Sequence, residues 1–361
     1  MGAKNANVLV AMSGGVDSSL AAALLVREGH EVMGATLLLP HYGSEHGSAD
    51  EGAGRGAIRD ARAVADRLGI PHHVLDYRDR FEQTVLADLR REYLRGRTPN
   101  PCVRCNDWLK FGFLLDSALA LGADRIATGH YARLLLNPDT GRHELHAAPG
   151  QDDQSYFLFA LSQEQLGRAL FPVGSMTKDG VRRMAAELGL PTHDRPKSQD
   201  LCFVPEGGYR ELLRRQCPEL FRPGPIVHVS GKVLGEHEGI ACYTVGQRRG
   251  LKVPWSEPLY VAALDAGQNR VVVGEHQHVM RRELAVCELN WIATDAPAGP
   301  LRASVRIRYR HPGGAATIEP QGQDSARVVF DEPQEAPTPG QAAVFYDGGR
   351  VLGGGFIESA R

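Results

Sequence analysis

Val8-Leu-Val-Ala-Met-Ser13-Gly14-Gly15-Val16-Asp17-Ser18-Ser19-Leu20 is the stretch that decides how this chain folds. Its opening apolar run reads as a buried strand, and Leu20 to Glu28 reads as a helix with Gly29 just past its end. Between them lies a turn of two glycines and three serines. Glycine lets the backbone take conformations other residues resist and lets a ligand approach closely. The unpaired N–H groups and positive dipole end of the following helix suit a phosphate. Serine hydroxyls add donors, and Asp17 is placed to hold a magnesium ion or meet an attacking group. No lysine follows the glycines, so this is not the G-x-x-x-x-G-K-[ST] loop that grips a terminal phosphate. The competing reading is a glycine turn with no ligand.

Outward from this turn, strands and helices alternate. Glu31 to Leu39 reads as a second strand. Residues His41 to Gly56, rich in Gly, Ser, Asp and Glu without periodicity, read as a surface loop or lid. Ile58, Ala61, Val64, Ala65 and Leu68 recur at helical spacing before Gly69. His72 to Leu75 is a third strand, and Phe81 to Gly96 a helix with Val85, Leu89 and Tyr93 on one face. Another helix runs from Asp107, a plausible N-cap, to Leu121. It leads into a strand that ends at the polar corner Gly129-His130-Tyr131. Such alternation implies a doubly wound parallel sheet covered on both faces, with ligands at the carboxyl ends of its strands. Ser13 to Ser18 and Gly129-His130 both fall there. Ser162-Gln-Glu-Gln165 is a capping box, and Thr177 to Leu188 an amphipathic helix.

From about Glu206 helical periodicity fades and Gly and Pro rise. Ile226 to Val229, Tyr260 to Leu264 and Arg270 to Gly274 read as strands of a small middle domain. Leu284 onward reads as antiparallel strands forming a barrel. The expected division of this α/β chain is 1–205, 206–280 and 281–361.

At 361 residues the chain is long enough for two or three domains. The N-terminus lacks a basic stretch followed by a long apolar run, and no segment approaches the roughly 20 apolar residues of a spanning helix. A cytoplasmic, non-membrane protein is expected. The formal net charge of −2 means that a nucleic-acid partner must be held by local basic patches. Such patches are present. In Leu301 to His311, Arg302, Ser304, Arg306, Arg308 and Arg310 alternate with Leu301, Ala303, Val305, Ile307 and Tyr309, which puts four arginines on one strand face as a phosphate-binding stripe. Arg90, Arg91, Arg95 and Arg97 form a second run, interleaved with Asp88 and Glu92. Gln247-Arg-Arg-Gly250 adds a third.

The six cysteines do not make a disulfide framework in a chain of this length. Cys102 and Cys105 lie in Thr98-Pro-Asn-Pro-Cys102-Val-Arg-Cys105-Asn106, where two prolines argue for a stiff loop between helices. Cys202 lies far off, in Asp194-Arg-Pro-Lys-Ser-Gln-Asp200-Leu-Cys202-Phe203. Arg104, Arg195 and Lys197 stand close in sequence and would favour the thiolate form. The alternative for Cys102 and Cys105 is half of a zinc site, which lacks a visible second pair of ligands. Cys217, Cys242 and Cys287 have no such setting, and packing accounts best for Cys242 and Cys287.

Ser13-Gly-Gly-Val-Asp-Ser resembles the pyrophosphate loop of enzymes that split ATP into AMP and pyrophosphate, folds of the adenine-nucleotide-hydrolase type. Further motifs narrow this: Gly96-Arg-Thr-Pro-Asn-Pro, Ala127-Thr-Gly-His-Tyr-Ala-Arg, Asp153-Gln-Ser-Tyr-Phe-Leu, Cys202-Phe, Tyr243-Thr-Val-Gly-Gln-Arg-Arg-Gly-Leu and Thr338-Pro-Gly-Gln-Ala. Together they resemble the tRNA-specific 2-thiouridylases of the MnmA type over nearly the whole chain. The resemblance implies a monomeric sulfurtransferase that adenylates the wobble uridine of tRNA with ATP and Mg2+ and then replaces its O2 with sulfur. It implies Cys202 as the persulfide carrier, loaded by a relay protein, and Cys105 as the second catalytic cysteine, joined to it in a transient disulfide. It carries over nucleotide contacts for Ala11, Met12, Ser13, Gly14, Gly15, Val16, Asp17, Ser18, Leu37 and Gly129. Asn100, Pro101 and Cys102 would meet the target base, while His130, Asp152, Asp153, Gln154, Arg308, Tyr309 and Gln341 would contact the tRNA anticodon stem-loop.

One departure stands out. Many members carry aspartate where this chain has Cys102, and a thiol near pKa 8.5 does not replace a carboxylate near 3.9. Three cysteines at one site could alternatively hold a [4Fe–4S] cluster with one iron open to sulfide. Two other classes compete: another pyrophosphate-loop ligase, which needs no paired cysteines, and an RNA-binding redox or iron–sulfur sensor, which does not need Asp17.

Overall fold

The computed structural model describes residues 6–40, 53–194, 202–204 and 208–361. The chain divides into two compact units. The first takes in Met1–Val85, Cys102–Glu206 and Gly349–Val351; the second takes in Leu86–Pro101, Gly207–Gly348 and Leu352–Arg361.

The first unit is built on a five-stranded sheet of β1 (Asn7–Ala11), β2 (Glu31–Leu38), β3 (His72–Asp76), β4 (Arg125–Ala127) and β7 (Ala169–Leu170). The order is β3-β2-β1-β4-β7, and every neighbouring pair is parallel. Helix α1 (Val16–Arg27) connects β1 to β2, and α2 (Ala53–Leu68) connects β2 to β3. The chain then crosses back to place β4 on the other side of β1. The crevice at such a reversal is where doubly wound sheets hold ligands. Val8, Val10, Leu20 and Ala21 are fully buried with Ala61 and Val64 of α2 and with Val181 and Ala185 of the helix Lys178–Glu187. An antiparallel hairpin, β5 (Ala132–Leu136) with β6 (His143–Ala147), completes this unit, and Arg350 pairs with His146 of β6.

Several sequence expectations change here. Helix α1 starts at Val16 rather than Leu20, because Gly15 takes an extended N-cap conformation (φ −91°, ψ 163°). The Ser18 and Ser19 hydroxyls bond back to Gly15 O at 3.2 and 2.8 Å. Of the expected 41–56 loop, residues 41–52 lie outside the described residues, and 53–56 already belong to α2. The cysteine segment is helical: Pro101–Arg104 runs into a π-helical stretch, Cys105–Phe113, and then Leu114–Ala120. Proline needs no N–H partner and has a suitable φ in the first turn of a helix, so Pro101 starts this one instead of forbidding it. Asp107 sits inside the helical run, not before it.

The second unit holds two all-β layers. β8 (Gly224–His228), β9 (Val233–His237), β10 (Tyr260–Asp265) and β11 (Arg270–Gly274) form a sheet in the order β10-β11-β8-β9. A helix, Tyr209–Gln216, precedes it where periodicity was expected to fade; only Leu212 and Leu213 of that charged run are buried. The barrel strands are β12 (Met280–Trp291), β13 (Leu301–Arg306), β14 (Gly314–Pro320), β15 (Ser325–Glu335), β16 (Ala342–Asp347) and β17 (Arg350–Ala360). They run β12-β15-β14-β13-β16-β17, and β12 also pairs with β17, which closes the barrel. Val305, Ile318, Val328, Phe330, Phe345 and Ile357 fill it.

Candidate active site

The turn after β1 is held open by its own serines. Ser13 N–H donates to Ser18 Oγ at 3.1 Å, and the two hydroxyls are 3.2 Å apart. Gly14 has φ +73°, and a Cβ there would stand 2.5 Å from Ala57 O, so the turn accepts only glycine at that point. No side chain caps α1. The first N–H groups of a helix have no partner within it, so those of α1 point into the crevice as anion donors. Met12 and Leu37 complete the carboxyl edge: Met12 is buried, its N–H donates to Ala35 O at 2.7 Å, and its O accepts from Thr36 Oγ1 at 2.8 Å. From β4, Gly129 lies against the same helix start; a Cβ on it would fall 2.6 Å from Ser18 N and 2.7 Å from Asp17 C. Ala11 to Ser18 and Gly129 are therefore brought together, and the residues present fit the phosphates of ATP.

Asp17 is not an open carboxylate. Lys178 Nζ donates to its two oxygens at 2.7 and 2.6 Å, and Tyr131 Oη donates at 2.6 Å. Burial, then the bond to Asp17, raises the Tyr131 pKa, so the phenol stays a donor. A magnesium ion on Asp17 would replace the Lys178 ammonium. Neither Lys178 nor Tyr131 carries a sequence signal for this role: the lysine is 161 positions from its partner.

The thiols share one neighbourhood in the first unit. Burial pushes the Cys102 pKa up to about 11 and the Cys105 pKa up to about 12, and each feels the charge Cys202 would carry. Crowding by surrounding protein raises Cys202 as well, yet that residue is the exposed one of the three, with Cys102 and Cys105 half-buried. The cation that opposes these shifts is Lys110 for all three thiols. Its Nζ donates to Asn106 Oδ1 at 2.9 Å, and buried Asn106 is fixed in turn by a 3.0 Å bond to Phe157 O. The expected helpers act elsewhere or fall outside view. Arg104 stacks over the Trp108 ring at 4.7 Å, and Arg195 and Lys197 lie outside the described residues. Among the described residues, no group of three His, Cys, Asp or Glu is arranged to hold a metal ion. Cys217 is buried, and Cys242 and Cys287 are half-buried.

His130 closes the polar corner. Its Nδ1 pairs with Thr128 Oγ1 at 2.7 Å, its ring contacts Phe111 and Phe171, and burial drives its pKa well below 6.5, so it is neutral. Asp153 is buried and serves its own turn, accepting from Ala148 N at 3.1 Å and Ser155 N at 3.0 Å. Gln154 Oε1 accepts from Tyr131 N at 3.0 Å. Asp152, beside them, is half-buried.

In the second unit, Gln341 Nε2 donates to Thr98 O and Pro99 O, both at 3.0 Å, and Thr98 N donates to Pro339 O at 2.8 Å. These bonds set the Thr98–Asn100 backbone; Asn100 and Pro101 are buried. The arginine stripe does not exist as expected. β13 ends at Arg306, and residues 307–310 form bends and a turn instead of continuing the strand. Arg302 is neutralised by Asp331 of β15 through bonds of 2.8 and 2.6 Å. Arg306 lies over the Tyr346 ring at 4.2 Å, and Arg308 donates to Glu335 O at 3.0 Å. Arg308 and Arg310 are exposed, with half-buried Tyr309 between them. The run at Arg90–Arg97 is likewise spoken for: Arg91 bonds Asp88, Arg95 and Arg97 pair with Glu92, and Arg90 bonds Gln216. Arg248 and Arg249 are exposed.

Comparison with known proteins matches three successive segments of the chain to family models. Residues 6–206 match the family described as tRNA methyl transferase HUP domain, 210–275 the tRNA methyl transferase PRC-barrel domain, and 281–357 the Aminomethyltransferase beta-barrel domain. The chain is 51% identical over 354 residues to the tRNA-specific 2-thiouridylase MnmA of Syntrophotalea carbinolica, covering 98% of this chain and 99% of that one. It is 47% identical to the MnmA of Heliobacterium modesticaldum (97% and 92% covered) and 48% identical to that of Moorella thermoacetica (97% and 99% covered). A HUP-type parallel sheet bearing this glycine turn, a PRC-barrel domain, a closed β-barrel and near-full-length identity at this level lead to one conclusion: the chain belongs to the MnmA family of tRNA-specific 2-thiouridylases.

Proposed function

We propose that this protein catalyses ATP-dependent 2-thiolation of the wobble uridine of tRNA. The observation that carries this reading is the gathering of Cys102, Cys105, Cys202 and Lys110 in the same compact unit as the α1 turn. Uracil O2 attacks the α-phosphorus of ATP; the Pα–O bond to the β-phosphate breaks and pyrophosphate leaves with the electron pair. The terminal sulfur of a Cys202 persulfide then attacks C2, and AMP departs with the former O2. Cys105 attacks the Cys202 sulfur, forming a Cys105–Cys202 disulfide and freeing 2-thiouridine; a thiol reductant resets the pair. Cys202 suits the carrier role because it is the exposed thiol, open to an upstream persulfide donor. Lys110 favours the attacking thiolates against their burial.

The target base must leave the anticodon stack to reach ATP, and Asn100, Pro101 and Cys102 are the residues we assign to receive it. Arg308, Tyr309 and Gln341, with His130 and Asp152 to Gln154, are assigned to the tRNA. The test is ATP–pyrophosphate exchange with purified protein. Exchange that depends on tRNA supports the reading; exchange driven by a small carboxylic acid without tRNA replaces it with a ligase. Iron and sulfide analysis after anaerobic purification tests the persulfide route, which a stoichiometric cluster needed for activity would displace.

A further inference from the structure

We infer that Lys178 is the phosphate-neutralising cation of the nucleotide site, and that Asp17 is its resting partner when no nucleotide is bound. The inference rests on the ATP-dependent reading above. The glycine turn contains no lysine or arginine between Ser13 and Leu20, so its sequence supplies donors but no full positive charge. A triphosphate in that crevice needs one, since neutral N–H groups and a helix dipole offset only part of several negative charges.

The fold supplies the charge from a distant helix. Lys178 opens the helix Lys178–Glu187, whose N-cap Thr177 accepts from Gly180 N at 3.2 Å, so the lysine leaves a fixed point. Val181 and Ala185 of that helix are buried in one core with Leu20 and Ala21 of α1, which fixes its distance from the turn. Lys178 Nζ reaches both oxygens of Asp17, and the Tyr131 ring lies 5.8 Å beneath it. The ammonium thus stands in the first turn of α1, where the phosphates are expected. Tyr131 Oη holds the Asp17 carboxylate independently at 2.6 Å. Asp17 therefore keeps a donor when the ammonium turns to a phosphate, and the exchange leaves this half-buried carboxylate hydrogen-bonded. In the adenylation step, Lys178 would meet the charge that accumulates on pyrophosphate as the Pα–O bond breaks.

The test is calorimetric titration of ATP and of AMP into the full-length wild type, Lys178→Met, Lys178→Arg, Asp17→Asn and Asp17→Asn/Lys178→Met. The expected result is that Lys178→Met loses about tenfold or more in ATP affinity, the size of one charge-assisted hydrogen bond, while AMP affinity stays within about twofold. Lys178→Arg recovers part of the loss. If Lys178→Met leaves Asp17 uncompensated and fails to fold, the comparison moves to the charge-neutral background. There, Asp17→Asn should still prefer ATP over AMP, and the double variant should not. Equal loss for ATP and AMP, or no loss for either, makes Lys178 a structural ion-pair partner and overturns the inference. A wild type that binds neither nucleotide overturns the nucleotide reading itself, and the inference with it.

Discussion

Gly129 packs against the start of α1 so closely that a side chain on it would sit 2.6 Å from the backbone nitrogen of Ser18. This contact ties the end of β4 to the turn after β1, the two edges of the crevice. Gly129→Ala must push α1 or β4 aside, at a cost of about 1–3 kcal/mol. Chemical denaturation should show that loss, and ATP titration a weaker affinity. Unchanged stability and binding would mean that the two edges are not coupled.

Gln341 and Thr98 form a second such tie, in the other unit. Gln341→Ala leaves Thr98 O and Pro99 O without their donor, a loss of about 1–2 kcal/mol. Thiolation should slow while ATP affinity stays at the wild-type value, because the Asn100 segment loosens and the α1 turn does not. Steady-state kinetics with tRNA varied, alongside ATP titration, measures both.

Much of this was readable in advance where the cause is local. Ser13 to Ser18 and the Ser162–Gln165 capping box both act within a few residues, and each forms. Errors arose where a permissive residue or a distant partner decides. The prolines before Cys102 read as helix breakers, yet proline is at home in a first helical turn, and Pro101 opens one. The arginine alternation at 302–310 looked continuous, yet Asp331 from β15 neutralises Arg302 and the strand stops at Arg306. Lys110 and Lys178 could not be found from the chain. An α-helical reading puts Lys110 off the Cys105 face, whereas the i→i+5 bonding of a π-helix brings the two into line.

The thiols predict a pH dependence. Cys102 and Cys105 titrate near 11 and 12 when folded, against about 9 for an unperturbed thiol, chiefly because burial disfavours the thiolate. The unfolded chain therefore loses these protons first, so stability is full below pH 9 and falls as pH rises from 9 toward 12. Iodoacetamide labelling of the two residues, read by peptide mass spectrometry, should be slow at neutral pH and climb only above pH 9. Lys110→Met should shift that climb further up. Fast labelling of both at pH 7 would contradict the burial argument.

Exposed arginines separate from paired ones. Arg308→Ala and Arg310→Ala should weaken tRNA binding and reduce the slope of log affinity against log salt by about 0.7–0.9 each, with ATP affinity unchanged. Arg302→Ala, which removes a charge already matched by Asp331, should change the slope far less. Filter binding across a salt series distinguishes them; equal slopes for all three variants and the wild type would remove the barrel turn from the tRNA surface.

The central claim is that a carbonyl energised at the α1 turn receives sulfur from Cys202. The most direct measurement is nucleoside mass spectrometry of tRNA incubated with the protein, ATP and a persulfide donor, with AMP and pyrophosphate counted in the same reaction. One 2-thiouridine at the wobble position per AMP and pyrophosphate released is the predicted result, with sulfur incorporation lost in Cys202→Ser while tRNA-dependent pyrophosphate release persists. Full incorporation by Cys202→Ser, or sulfur transferred without ATP cleavage, would contradict it.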